Sequence, residues 1–343
     1  MQAMDRLAEA GWAGLSVQEE YGGTGGSATD LALLHRTLAR HAVAVAQSYY
    51  SLWVLGAEAI ARLGTEKQRR EWLPRIAQGS VRIAFALTEP GSGSDAAALR
   101  MTATRAQDQF TLSGQKIFIT GAAVADLIIT AARTTRATED RRRGITLFLV
   151  DARAPGITVR RLSKLGLHAL DLCEVFFADV DVPSDAALGP LDEGWQSLHP
   201  GFALERTMLA AICVGALDDV LAVATDYAQQ RIAFGQPIGG FQLIADKLVS
   251  MRVSRDAADL LTCRAAESID AGQPASAEAA IAKLFAAEAY VSATRDAVQI
   301  FGGYGYTNEY AVARHYRDAK FMEIGGGTSE IQKIIIARSM GLL

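Results

Sequence analysis

The sequence predicts an α+β protein: a helical N-terminal segment, a middle β domain and a C-terminal four-helix bundle. Three observations carry this. Apolar residues in 1–79 recur at three- and four-residue steps with charges between them. From about 80 to 195 the pattern changes to short alternating, β-branched or aromatic runs separated by turn residues. After Gly194 the helical period returns and persists to the C-terminus. Strands grouped between helices, with no βαβ alternation, argue against a parallel α/β sheet.

The N-terminal helices are read from Leu7, Ala10 and Gly11, then Leu31, Leu34 and Leu38, then Val54, Ile60 and Leu63, with ends at Gly11, Tyr21-Gly22-Gly23 and Gly64. In the middle domain (80–195), Ile83–Leu87 opens as a strand. Phe110/Leu112 and Ile117/Ile119 alternate around Ser113-Gly114, which predicts a hairpin turning there. Leu127–Ala131, Gly144–Val150, Gly156–Arg161 and Cys173–Val182 are further strand candidates, and Arg141-Arg142-Arg143 reads as a solvated hairpin tip. In 196–343, amphipathic stretches near 196–231, 241–271 and 275–301 and a shorter one at 329–341 predict four antiparallel helices. Ser329 with Gln332 fits a capping box opening the last.

Composition narrows function. Half of the 343 residues are apolar and 21% are charged, enough for a sizeable core. Thirty-four Lys plus Arg against 38 Asp plus Glu gives −4, which disfavours nucleic-acid binding through a basic face. The longest apolar run, Met208–Leu217, is too short to span a bilayer, and Asp5, Arg6 and Glu9 speak against a signal peptide. A soluble cytoplasmic protein without membrane insertion is expected. Cys173, Cys213 and Cys263 are too dispersed for a zinc site or disulfide framework and read as small buried hydrophobes. The five histidines show no metal-ligand spacing, so no metal is expected. Chemistry must come from carboxylates or a bound organic cofactor.

Three glycine-rich segments are candidate ligand loops. Thr88–Asp95 follows a strand, and its hydroxyls and backbone N–H groups suit a polar ligand. Its Gly91-x-Gly93-x-x-Ala96 is a poor dinucleotide fingerprint, because Glu89-Pro90 breaks the strand–turn–helix geometry. Gly325-Gly326-Gly327 precedes a helix N-terminus, where backbone N–H groups favour negative charge. Gln299–Tyr306 joins a helix end to a glycine-rich turn. Each alone also reads as plain structure.

Together with their neighbours, these segments resemble the acyl-CoA dehydrogenases over essentially the whole chain. The resemblance rests on seven motifs in order: Phe85–Asp95 (FALTEPGSGSD), Gly114–Thr120 (GQKIFIT), Glu174–Pro183 (EVFFADVDVP), Gln230–Ile238 (QRIAFGQPI) with Phe241-Gln242, Gln299–Gly305 (QIFGGYG), Tyr316–Lys320 (YRDAK) and Gly327–Gln332 (GTSEIQ). It implies a barrel-like middle domain and noncovalently bound FAD. Phe85, Leu87, Thr88, Ser94, Phe118 and Thr120 would line the isoalloxazine. Arg231, Phe234, Gln242, Gln299 and Gly303 would reach the pyrophosphate and adenosine of a neighbouring subunit's FAD, with Thr328 and Glu330 also near cofactor. A homodimer or homotetramer is therefore implied, with electron-transfer flavoprotein or another acceptor taking the electrons.

The reaction implied is dehydrogenation of an acyl thioester, on CoA or an acyl-carrier protein. A carboxylate takes the α-proton and flavin N5 the β-hydride, while donors stabilise the enolate oxygen. Many family members have Tyr-Glu-Gly-Thr where this chain has Gly325-Gly326-Gly327-Thr328, so the usual glutamate is Gly326. Its backbone N–H, which the family uses to polarise the thioester, survives the change. Isovaleryl-CoA dehydrogenase and some long-chain relatives carry the base on the first bundle helix, immediately before an arginine. Here that position reads Phe202-Ala203-Leu204-Glu205-Arg206, which makes Glu205 the expected base and Arg206 a wall beside it. Ser94, Phe202, Glu205, Gly325 and Gly326 would line the substrate site. Relatives usually carry another helix or two before Leu7, so a more open acyl pocket, or one completed by a partner subunit, is expected. Two other functions remain open on sequence: a flavin-dependent monooxygenase on this fold, and a non-catalytic subunit of a hetero-oligomer.

Overall fold

The structure, a computed structural model, describes residues 2–136 and 140–343. Among the described residues, five α-helices precede the sheet: α1 (Gln2–Glu9), α2 (Ala28–His41), α3 (Val43–Tyr49), α4 (Leu55–Leu63) and α5 (Glu66–Ala77). A buried π-helical turn at Tyr50–Val54 joins α3 to α4. At the start of α5, Gln68 N–H donates to Thr65 Oγ1 at 3.2 Å and Thr65 N–H to Gln68 Oε1 at 2.9 Å, a reciprocal cap satisfying two otherwise orphaned donors.

Strands β1 (Ile83–Ala86), β2 (Thr102–Ala106), β3 (Gln109–Thr120), β4 (Leu127–Arg133), β5 (Ile145–Asp151), β6 (Ile157–Arg161), β7 (Leu172–Pro183) and β8 (Ala187–Leu188) form one mixed sheet among the described residues, in the order β6-β7-β3-β2-β4-β5-β8. β1 runs parallel to β4, Ile83 opposite Leu127. β4 and β5 are buried along almost their whole length, and Phe110 and Phe148 meet in the core at 5.1 Å between ring centroids.

The hairpin expected around Ser113-Gly114 does not exist. β3 passes straight through it with a register shift against β7, and the chain reverses at Gln107-Asp108, between Ala106 and its partner Gln109. Gly114 marks a close approach instead: with φ +151°, a Cβ there would lie 2.8 Å from Met101 Cγ. A glycine inside alternating apolar residues signalled a bulge rather than a turn. Arg141, Arg142 and Arg143 are exposed before β5, while the rest of the tip, 137–139, lies outside the described residues.

After Gly194 follow α6 (Gly194–Leu198), α7 (Gly201–Gln230), the ribbon β9 (Ile232–Ala233) and β10 (Gln236–Pro237), α8 (Gln242–Asp270), α9 (Ser276–Phe301), α10 (Ala311–Met322) and α11 (Ser329–Ser339). The four anticipated stretches are all helical, but α10 was not anticipated. Its buried Val312, His315, Ala319 and Met322 follow a helical period that its neighbouring glycine and aromatic residues obscured. The stretch Gly194–Gln230 has the length and hydropathy of a membrane span, yet 72% of its apolar window is buried, as a core helix requires.

Residues 1–27, 48–164 and 169–201 make one compact unit; 28–47, 165–168 and 202–343 make the second. In the second, alanines such as Ala210, Ala216, Ala282, Ala286 and Ala293 pack with Met251, Tyr290 and Met322. Arg36 of α2 reaches Asp218 of α7 and Asp259 of α8, each at 3.0 Å. Asp270 accepts from Ala28 N–H at 2.6 Å and Thr29 N–H at 3.1 Å, placing negative charge at the N-terminus of α2.

Two local expectations fail. Cys173 and Cys213 are buried, but Cys263 is exposed, because it lies on the face of α8 turned away from Ala258, Thr262 and Ala265. α11 is capped by Thr328, whose hydroxyl accepts from Ile331 N–H at 3.4 Å, not by Ser329. Gln332 turns back to hold the glycine loop instead of closing a capping box.

Candidate active site

In the sheet unit, the end of β1 leads into the Thr88 loop, and Ile117 N–H donates to Thr88 O at 2.9 Å, tying that loop to β3. This brings Leu87 and Thr88 beside the Lys116–Thr120 segment that carries Phe118 and Thr120. Phe85, Leu87, Thr88 and Thr120 are half-buried, and Ser94 is exposed. Phe118 occupies the left-handed region at φ 59° and is 58% exposed. A bulky side chain held there, at a bulge between Lys116 and Ile119, is a costly arrangement found where a side chain is aimed at a ligand.

Sequence reasoning missed the clamp beneath this loop. Lys116 is fully buried; its Nζ donates to Glu89 Oε1 at 2.8 Å and Leu87 O at 3.0 Å. Glu89 also accepts from Arg100 N–H at 2.6 Å and Met101 N–H at 2.9 Å. Burial pulls the Lys116 ammonium down to about 8, against the opposing pull of Glu89. A lysine at a core-facing position of a β run was the available signal.

In the helical unit, Arg231 follows α7 and lies 5.7 Å over the Tyr304 ring, and Tyr227 stacks on Phe301 at 3.9 Å. Arg231 is thereby brought to the Gln299–Gly303 segment. Phe234 sits at the tip of the β9–β10 ribbon with φ 49° and is 97% exposed, 6.1 Å from Phe241 in an edge-on contact. Gln242, Gln299 and Gly303 are exposed, as is Glu330, whose own backbone N–H and Thr328 hold its carboxyl below the ordinary range. Within this unit an exposed guanidinium and large exposed rings suit a diphosphate and an aromatic base, and within the sheet unit an exposed phenyl ring on β3 suits a flat ring, so each set of residues fits part of an FAD.

In the same unit Glu205 meets the glycine loop at Gly326. Glu205 and Arg206 stand in the first turns of α7, with the Arg206 guanidinium 5.6 Å over the Phe202 ring. Gly326 has φ +64°, and a Cβ on it would lie 2.3 Å from Leu209 Cδ1 and 3.8 Å from Glu205 Cγ and Cδ. The Glu205 carboxyl therefore packs against the position where a longer side chain at 326 would begin. It accepts no hydrogen bond among the described residues and is only partly accessible. Burial raises its pKa, opposed by the charges of Arg206 and Lys283. The Gly326 N–H is likewise without an acceptor among the described residues.

The loop is held by Gln332, which sequence reasoning assigned to a capping box, and by Lys283, which it missed. Gln332 Nε2 donates to Gly326 O at 3.1 Å and Gly327 O at 2.8 Å. Lys283 of α9, 1% exposed, donates to Gly327 O at 2.6 Å. Its place among buried Ala279, Ala280, Ala286, Ala287 and Tyr290 was a legible anomaly.

Profiles for the N-terminal, middle and C-terminal domains of acyl-CoA dehydrogenase match residues 1–80, 84–180 and 192–341. The chain belongs to the acyl-CoA dehydrogenase family. An acyl-CoA dehydrogenase of Bacillus subtilis (strain 168) is 39% identical over 98% of this chain and 89% of its own. Butyryl-CoA dehydrogenase from Megasphaera elsdenii superposes with a TM-score of 0.95 at 37% identity, over 99% of this chain and 89% of that one. The FAD complex of PigA does so with a TM-score of 0.95 at 31% identity, over 99% and 89%.

Proposed function

We propose that the protein is an FAD-dependent dehydrogenase of acyl thioesters in which Glu205 takes the α-proton. The observation that carries this is the Glu205 carboxyl itself: desolvated, free of hydrogen-bond donors among the described residues, and packed against a residue with no side chain of its own. Loss of hydrogen bonds and water raises the basicity of a carboxylate. The unpaired Gly326 N–H is suited to the thioester oxygen, where a donor gains strength as enolate charge develops. The charge of Arg206 opposes the rise in the Glu205 pKa and favours the ionised form. When bound, FAD supplies the acceptor for the β-hydride. Phe85, Leu87, Thr88, Ser94, Phe118 and Thr120 would hold its ring, Thr328 and Glu330 would lie near the cofactor, and Arg231, Phe234, Gln242, Gln299 and Gly303 would reach the pyrophosphate and adenosine of a neighbouring subunit's FAD. Phe202, Ser94 and Gly325 would line the acyl site.

The finer architecture belongs to the same reading. A division at 1–79, 80–195 and 196–343, a barrel-like curl of the sheet and a bundle built on four principal helices agree with the family's plan. Support for the curl comes from the irregular pairing of β3 and from Asp179 of β7 at φ 51°, both of which bend strands. Exposed Leu243, Val249, Val253 and Leu260 on α8 favour a homodimer or homotetramer. Electron-transfer flavoprotein as acceptor and a cytoplasmic location complete the proposal.

The test is anaerobic mixing of the FAD-loaded protein with butyryl-CoA or isovaleryl-CoA while flavin absorbance is followed. The native chain bleaches. Glu205→Gln retains its flavin and bleaches about 10²–10⁴-fold more slowly, the usual contribution of a general base. Normal bleaching by that variant assigns the base elsewhere. The rate should climb as pH rises through the elevated Glu205 pKa, since only the ionised form accepts a proton.

A further inference from the structure

We propose that Lys283 is a positioning residue for proton abstraction: its ammonium group fixes the glycine loop through the Gly327 carbonyl and attracts the Glu205 carboxylate packed against the neighbouring Gly326. The proposal rests on Glu205 being the base.

Two independent observations meet at this lysine. One is geometric: the 2.6 Å hydrogen bond to Gly327 O comes from a side chain 1% exposed in the interior of α9, where a charge is costly unless it is paired and hydrogen-bonded. The other is electrostatic: Glu205 and Lys283 each act on the other's ionisation. The groups facing Lys283 are Glu205, Arg206 and Cys213 from α7 and Glu323 from the end of α10; those facing Glu205 are Arg206 and Lys283. Burial brings the lysine down to about 8, so it stays mostly charged at neutral pH and presents a cation to Glu205. Gln332 also grips the loop, but it is neutral and cannot stabilise the carboxylate. Removing the charge of Lys283 therefore leaves Glu205 harder to ionise, whereas removing its hydrogen bond loosens the loop.

The experiment separates these effects. Flavin reduction by butyryl-CoA is measured anaerobically across pH for the FAD-loaded native protein, Lys283→Met, Lys283→Gln, Lys283→Arg and Glu205→Gln. Hydrogen exchange of residues 324–332 is followed in parallel. In Lys283→Met and Lys283→Gln the ascending limb of the rate moves to higher pH. One unit of displacement slows reduction about tenfold on the acid side. Lys283→Arg returns the limb toward its native position, and Lys283→Gln, which still has a donor for Gly327 O, keeps more exchange protection than Lys283→Met. If the Met variant does not fold, the Gln and Arg variants carry the test. A limb that stays in place in the uncharged variants, or moves equally in Lys283→Arg, overturns the proposal. Native-like reduction by Glu205→Gln overturns the base assignment instead. An inert Glu205→Gln with an unmoved limb in the lysine variants sinks only the role of Lys283.

Discussion

The two compact units each bury a lysine under a ligand-facing loop, and the two are solved differently. Lys116 in the sheet unit is closed: Glu89 neutralises it at 2.8 Å, and that carboxylate also takes two backbone N–H groups. Lys283 in the helical unit is open: it donates to a carbonyl, and the carboxylate it attracts, Glu205, takes no hydrogen bond among the described residues. Both ammonium groups are brought down to about 8 by burial. A closed pair fixes geometry and does nothing else. An open pair leaves a desolvated carboxylate available for a proton, which is what a base near a weakly acidic C–H requires.

The largest effect should come from breaking the closed pair. Glu89→Ala strands Lys116 and two backbone donors in the core, which costs about 3–5 kcal/mol for a buried ion pair losing one partner. Lys283→Ala removes one charge-assisted hydrogen bond and costs about 1.5–3 kcal/mol. Urea unfolding of both variants compares them directly. Equal costs would mean that Lys116 and Glu89 are no more tightly bound to each other than Lys283 is to its loop.

A smaller effect probes the open pair from the opposite side. Gly326→Ala must place a methyl group 2.3 Å from Leu209 Cδ1 at φ +64°, so overpacking and backbone strain together cost about 1–3 kcal/mol. The loop then shifts against Glu205, and flavin reduction falls. Adding Leu209→Ala makes room for the methyl group and should recover part of the reduction rate, though not the strain. If Gly326→Ala reduces flavin like the native chain, the loop does not position anything.

How much of this was readable follows from what each feature depends on. The helical and strand segments declare themselves through local periodicity, so the long helices of 201–301 and most strands lie where their patterns put them. The nearness of Glu205 to position 326 was legible through the family resemblance, which put an acidic residue on the first bundle helix where residue 326 has no side chain, and the structure does bring the two residues together. Gly114 was misread because a bulge and a turn use the same residue, and only the partner strand distinguishes them. Lys116 and Lys283 each interrupt an apolar pattern, yet their partners Glu89 and Gly327 are 27 and 44 residues away, a pairing no local pattern contains. α10 escaped because its apolar stripe is short and flanked by glycine and tyrosine.

The smallest prediction tests how the loop above Lys283 passes into α11, and it carries opposite signs at adjacent residues. Thr328, with φ −60° and ψ 164°, has the extended backbone of an N-cap and accepts from Ile331 N–H at 3.4 Å. The bond is long, so Thr328→Ala should cost about 0.5–1 kcal/mol, the lower part of the range for lost caps. Ser329, one residue on, is buried, and its hydroxyl has no hydrogen-bond partner among the described residues. Removing an unsatisfied buried hydroxyl relieves a desolvation penalty, so Ser329→Ala should be neutral or stabilising. A capping box built on Ser329 and Gln332 demands the reverse, because the alanine would then cost a cap. Gln332 could not serve such a box while donating to Gly326 O and Gly327 O. Thermal unfolding of the two variants therefore reads whether Gln332 belongs to the helix or to the loop that Lys283 holds, and a loss confined to Ser329→Ala would return it to the helix.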